Sequence, residues 1–139
     1  MGEILFKVKR IDNGEWVYWN IFGELCRESG KRTRLAIQKG ATTSYYDYIH
    51  QIITLIDKNT ICRATGLTDK NGNKIWENDI VTVLERGIEM SGGFISFFND
   101  YPGGWLITNK TMEARCCLCM RNNVEVIGNV FDNADLVKE

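Results

Sequence analysis

Thr65-Gly66-Leu67-Thr68-Asp69-Lys70-Asn71-Gly72-Asn73-Lys74-Ile75-Trp76 holds the strongest local structural signal in the chain. Its Asp69-Lys70-Asn71-Gly72 segment sits between two β-compatible runs, residues 61–67 and 74–76. Asn-Gly supplies the positive φ angles that a tight hairpin turn needs, so the segment predicts two antiparallel strands joined at residues 69–72. Downstream, short apolar runs at 80–84, 94–98, 105–108, 112–119 and 124–128 are separated by turn signals, among them Gly92-Gly93 and Tyr101-Pro102-Gly103-Gly104. Five or six short strands in this space predict a small barrel, because closure removes exposed sheet edges. Residues 131–136 read as a terminal helical turn.

Upstream, Asp57-Lys58-Asn59 is a turn signal and marks the expected boundary between a β-rich N-terminal domain, 1–59, and the barrel domain, 60–139. Residues 4–8 alternate as a strand would, Asp12-Asn13-Gly14 turns the chain, and residues 16–22 return as an aromatic strand that Gly23 ends. The more polar residues 24–40 read as a hairpin tip followed by a strand over 35–38. In the next segment Tyr45, Ile49, Ile52, Ile53 and Ile56 recur at helical spacing, while residues 52–56 are mostly β-branched. Helix over 44–50 and strand over 51–56 reconciles the two signals.

The composition is that of a globular protein: 139 residues, 44% hydrophobic, 11% aromatic, 25% charged. A chain of this length buries roughly two thirds of the surface its unfolded form exposes, enough for a real core. A net charge of -1 gives no long-range field toward nucleic acid or an anionic membrane. Residues 1–58 carry nine Lys/Arg against seven Asp/Glu, and residues 59–139 carry eight against eleven. This mild asymmetry would favour one end of the molecule meeting the other end of a neighbour; the competing reading is two solvated surfaces, since exposed charges contribute little energy.

Met1-Gly2-Glu3-Ile4-Leu5-Phe6-Lys7 has neither the basic start nor the long apolar stretch of a secretory leader, and Phe6 stands where a myristoylation signal wants Ser or Thr. No apolar run approaches membrane-spanning length. Five cysteines without such a leader predict reduced thiols and a cytoplasmic setting.

Two stretches carry a family resemblance: Thr65-Gly66-Leu67-Thr68-Asp69-Lys70-Asn71-Gly72-Asn73-Lys74-Ile75-Trp76-Glu77-Asn78-Asp79-Ile80-Val81 and Val126-Ile127-Gly128-Asn129-Val130-Phe131-Asp132-Asn133. Together they resemble the YopX family of phage and prophage proteins, which shows a "TGL-D-NG--I-EGDIV" segment and a "VIGNIYENPEL" ending. The opening strand pair, residues 4–8 with Gly14 and Trp16, is similar as well. Asn78 stands where the family usually has Gly, and Ala134 where Pro is common. The resemblance implies a phage or prophage accessory protein with a β-rich N-terminal part, an SH3-like C-terminal barrel, self-association and no established catalytic residues.

The residues themselves give the motif a structural job. Gly66, Asn71, Gly72, Gly128 and Asn129 belong to turns and close backbone approaches. Glu77 and Asp79, at alternate positions of a strand, would share a face and form an acid pair or cation site; the competing reading is a turn closed by Asx hydrogen bonds. Cys116-Cys117-Leu118-Cys119 offers a C-x-x-C spacing in Cys116 and Cys119, with Cys26 or Cys62 able to complete a zinc sphere. The segment reads as strand without the tight turn a zinc knuckle needs, which favours free thiols. His50, the one histidine, has no nucleophile motif beside it, and no Walker loop or G-x-G-x-x-G occurs.

Arg27, Lys31, Arg32 and Arg34, with Trp16, Tyr18 and Trp19 on the same sheet, would make a basic and aromatic surface for single-stranded nucleic acid; the competing reading is a solvated hairpin tip. The expectation is therefore a non-enzymatic module without a cofactor or membrane association. It self-associates and binds a host or phage macromolecule in a bacterial cytoplasm, using aromatic surfaces that include Trp16, Trp19, Tyr45, Tyr46 and Tyr48. Nucleic-acid binding is the alternative function, and metal binding a third.

Overall fold

The computed structural model describes residues 4–20, 25–26, 55–85, 88–99, 104–111 and 115–137. The expected strand at 35–38, the helix at 44–50, Arg27, Lys31, Arg32, Arg34, His50 and the tyrosines at 45, 46 and 48 lie outside these residues. Ten strands are described: β1 (Ile4–Arg10), β2 (Trp16–Asn20), β3 (Leu25–Cys26), β4 (Ile56–Thr68), β5 (Lys74–Trp76), β6 (Asp79–Glu85), β7 (Ile88–Phe98), β8 (Gly104–Thr108), β9 (Arg115–Cys117) and β10 (Val124–Asn129). They form two antiparallel sheets, and the protein is mainly β. The chain divides into two compact units, Met1–Arg63 and Ala64–Glu139.

In the first unit the strand order is β3-β2-β1 and then the first part of β4. Cross-strand pairing puts Phe6 opposite Trp19 and Val8 opposite Val17 on one face, with Lys7 opposite Tyr18 and Lys9 opposite Trp16 on the other. The apolar face carries the core, in which Val8, Val17 and Ile56 are buried and Trp19 and Leu55 pack against them.

The turn signal at residues 57–59 does not end a strand. Instead, Lys9 pairs with Asp57 and Lys7 with Cys62, so β4 inserts three extra residues against β1. Polar side chains hold this bulge. Asn59 N–H donates to Asp57 Oδ1 (3.1 Å), the Thr60 hydroxyl donates to the Asp57 carbonyl (2.7 Å), and Lys9 N–H donates to Thr60 Oγ1 (2.9 Å). The tendency of Asp and Asn to turn is expressed, and a side-chain hydroxyl replaces the lost ladder acceptor.

In the second unit the order is β10-β6-β7-β8-β9, and the end of β4 pairs with β5. Ile75, Val81, Val83, Ile95, Ile107, Leu118 and Val124 form its core. Each contributes roughly 1.5–3 kcal/mol by leaving water. The opposite face is also covered at Ile80, Leu106 and Thr108, all fully buried. The Thr108 hydroxyl satisfies itself on Ser96 Oγ (2.8 Å) and the Phe94 carbonyl (3.2 Å).

The expected SH3-like barrel does not close among the described residues: β10 and β9 stand at the two ends of the sheet's strand order. β9 has three residues before the chain enters a 3-10 turn at Leu118–Met120. At the other edge, Lys70 N–H donates to the Val124 carbonyl (2.8 Å) and Val126 N–H donates to Asp69 Oδ2 (3.0 Å), so the 69–73 turn caps β10. Shortness at one edge and local cover at the other stand in for closure.

Two further expectations change in detail. Gly92-Gly93 is not a turn but a bulge inside β7: Val81 pairs with Gly93 and Thr82 with Ser91, leaving Gly92 (φ 81°) as the extra residue. Residues 112–119 do not make one strand, since β9 stops at Cys117.

Candidate functional site

On the apolar face of the first unit, Phe6, Val8, Trp19, Ile56 and Ile61 line a cleft of about 290 Å³. β1 supplies Phe6 and Val8, β2 supplies Trp19, and β4 supplies Ile56 and, beyond its bulge, Ile61. Val8 and Ile56 form the buried floor, whereas Phe6 at 40% and Ile61 at 44% exposure leave apolar surface open to water. Arg63, exposed, is the cross-strand neighbour of Phe6. At the far end of β1, Arg10 pairs with Asp12, and this hydrogen-bonded contact raises the guanidinium pKa and lowers that of the carboxyl.

The opposite face concentrates positive charge on an aromatic ring. Lys7 Nζ lies 4.4 Å and Lys9 Nζ 5.4 Å from the centroid of Trp16. Lys7 and Tyr18 are each 7% exposed, so this is an enclosed arrangement rather than an open groove. Trp16, Tyr18 and Trp19 share β2 as expected, with Trp19 on the apolar face and the other two on the opposite one.

The motif residues of the second unit hold backbone. Asp69, 6% exposed, accepts from Asn71 N–H and Asn73 N–H through Oδ1 (2.9 Å each), and from Val126 N–H through Oδ2. Burial pushes this carboxyl up, but the hydrogen bonds from Val126, Asn73 and Asn71 outweigh it, and its pKa falls below the ordinary value. The turn departs from the expectation that Asn71 and Gly72 both supply positive φ. Gly72 N–H donates to the Asp69 carbonyl (3.0 Å), Asp69 N–H to the Asn73 carbonyl (2.8 Å), and Gly72 alone of the four takes a positive φ (83°). Three residues therefore make the loop, with Gly72 as its left-handed closing residue.

Gly66 (φ 83°) sits in a second bulge of β4, where the Thr65 hydroxyl donates to the Ile75 carbonyl (2.7 Å). Glu77 and Asp79 do not stand at alternate positions of one strand. Glu77 is in the turn before β6, while Asp79, 3% exposed, accepts Trp76 N–H on Oδ2 (2.8 Å). The strand alternation on which the expected acid pair rested is thus absent. Asn78 between them has φ 70°, the left-handed conformation that Gly adopts freely and Asn adopts best among the rest, so the turn survives the departure from the family's Gly.

At the C-terminal motif, Asn129 Oδ1 accepts Phe131 N–H (3.0 Å) and Asp132 N–H (2.9 Å), and Asn133 Oδ1 accepts Asn129 N–H (3.1 Å). A Cβ on Gly128 would come within 2.5 Å of Asn133 Oδ1, which explains the glycine.

Cys116 lies half-buried on β9 against the core, its thiol pKa raised chiefly by burial; Cys119 is exposed in the 3-10 turn, and Cys62 is buried. Among the described residues no group of three or more His, Cys, Asp or Glu is arranged to hold a metal ion. Nor is any described helix long and apolar enough to cross a membrane.

Sequence reasoning singled out Trp19 but missed the cleft. Its signal was present in the apolar even positions of β1, Phe6 and Val8, facing the apolar odd positions of β2, Val17 and Trp19. The sequence marks Asp69 as a turn residue; nothing local announces that it also caps β10, 57 residues away.

No curated protein matches the chain. A family model described as YopX protein matches residues 5–138, nearly the whole length, and the chain belongs to the YopX family.

Proposed function

We propose that this protein is a binding module rather than an enzyme: a self-associating accessory protein of a phage or prophage, acting in the cytoplasm of a bacterial host. The observation that carries the reading is the cleft on the first unit, where Phe6 and Ile61 stay exposed beside a packed core. Contiguous exposed apolar surface of this kind marks interaction sites in soluble proteins. A second copy of the chain is the favoured occupant, because the two units carry opposite charge. Residues 1–63 have ten Lys/Arg against seven Asp/Glu, and residues 64–139 have seven against eleven.

The motif residues support the reading from the other side. Asp69, Asp79 and Asn129 hold backbone amides in place, the work of a scaffold. The phage setting rests on the family resemblance. The nucleic-acid alternative loses part of its aromatic surface, since Tyr18 is only 7% exposed.

A native mass spectrum of the protein as purified tests the reading. A defined oligomer free of ligand is expected, and a monomer carrying zinc or an oligonucleotide would overturn it.

A further inference from the structure

The Leu84–Glu89 pair across β6 and β7 in the second unit has the shape and charge that the cleft lacks. Leu84, 61% exposed on a strand, stands directly opposite Glu89, itself exposed, so a bare apolar side chain and a carboxylate share one face. The cleft presents the complement, an apolar floor with Arg63 beside Phe6 at its rim. Its volume of about 290 Å³ lies at the lower end of small-molecule pockets, which suits one or two side chains.

The other large exposed apolar residues fit less well. Ile11 belongs to the same basic unit as the cleft, Met120 sits in a 3-10 turn, Phe97 packs its ring against Trp105, and Ile127 is the bulge residue of β10 and less exposed at 37%. A symmetric contact, cleft against cleft, would bring Arg63 toward its own copy, and like charges across an interface cost affinity.

We propose, resting on the self-association reading above, that copies join head to tail. Leu84 of one copy enters the Phe6–Trp19–Ile61 cleft of the next, and Glu89 meets Arg63. Such a contact uses different surfaces on the two partners, so it extends into rings or open chains rather than stopping at a two-fold dimer. One apolar anchor in a small cleft makes a weak interface, and concentration drives its growth.

Sedimentation velocity of the full chain, over a wide concentration range at low salt, tests this. Wild type associates, and Leu84→Asp and Ile61→Asp each weaken association by at least about tenfold. Both residues are well exposed, so folding is retained, and circular dichroism checks that. Mixing the two variants restores a heterodimer, because one keeps an intact cleft and the other an intact Leu84–Glu89 pair. Arg63→Glu and Glu89→Arg weaken association singly and recover it when combined in one chain.

If the variants associate as wild type does, the contact lies elsewhere and this proposal fails while self-association stands. A mixture that stays monomeric overturns the head-to-tail arrangement in the same way. A wild type that is monomeric throughout overturns both readings.

Discussion

Asp69 joins two segments of the second unit with a single carboxylate, accepting amides from its own turn and from β10. Hydrogen bonds to a charged group are each worth about 1.5–3 kcal/mol, and a buried amide left without an acceptor costs a further desolvation penalty. Asp69→Ala is therefore expected to lower stability by about 2–4 kcal/mol, read as a shift of the urea midpoint. The pH dependence has a definite sign. The folded pKa of Asp69 is depressed, so its contribution is fully present above the unfolded value of about 3.9 and is lost as pH falls through the folded value. The gap between wild type and Asp69→Asn should stay constant from pH 8 to about pH 5 and shrink in more acid solution. A gap independent of pH would show that shape, not charge, is what the site needs.

Among elements, the glycine-bearing ones were legible to different depths. The hairpin at 69–73, the strand Lys74–Trp76 and the strand after Asp79 were readable because each is decided by neighbours within a few residues. Chain turns were harder, since Asp57-Lys58-Asn59 and Gly92-Gly93 bend the backbone without ending their strands. A bulge and a turn use the same residues, and the partner strand decides which one forms. The C-terminal motif is the sharpest case of local design. Gly128 is needed because Asn133 folds back over it, and Asn133 is placed by its bond to Asn129 N–H. Gly128→Ala should cost about 1–3 kcal/mol by overpacking. Asn133→Ala removes the two nearest obstructing atoms, Oδ1 and Cγ, so the double variant should be less destabilised than the sum of the two singles. Strict additivity in a double-mutant cycle would mean that the close approach does not constrain Gly128.

At the scale of the whole molecule, the β class followed from patterning, whereas barrel closure did not, because the fate of an edge depends on contacts far apart in sequence. β10 is covered through Asp69 and Lys70, and no strand-length pattern encodes that. The candidate cleft was half legible for the same reason: Trp19 stood out by its type, while Phe6 and Ile61 became a surface only when β1 and β4 were paired. The sign of the charge asymmetry, by contrast, was readable, and the two units carry ten Lys/Arg against seven Asp/Glu in residues 1–63 and seven against eleven in 64–139. An apolar contact framed by such charges should be assembled by electrostatics and retained by burial. Salt shortens the screening length from about 30 Å at 0.01 M to about 8 Å at 0.15 M, which weakens steering between separated copies more than contacts already formed. Raising salt should therefore slow association several-fold while leaving dissociation nearly unchanged, as measured by stopped-flow mixing and dilution. Association that speeds up with salt would mean that apolar burial acts alone and that the opposite charges of the two units play no part in bringing copies together.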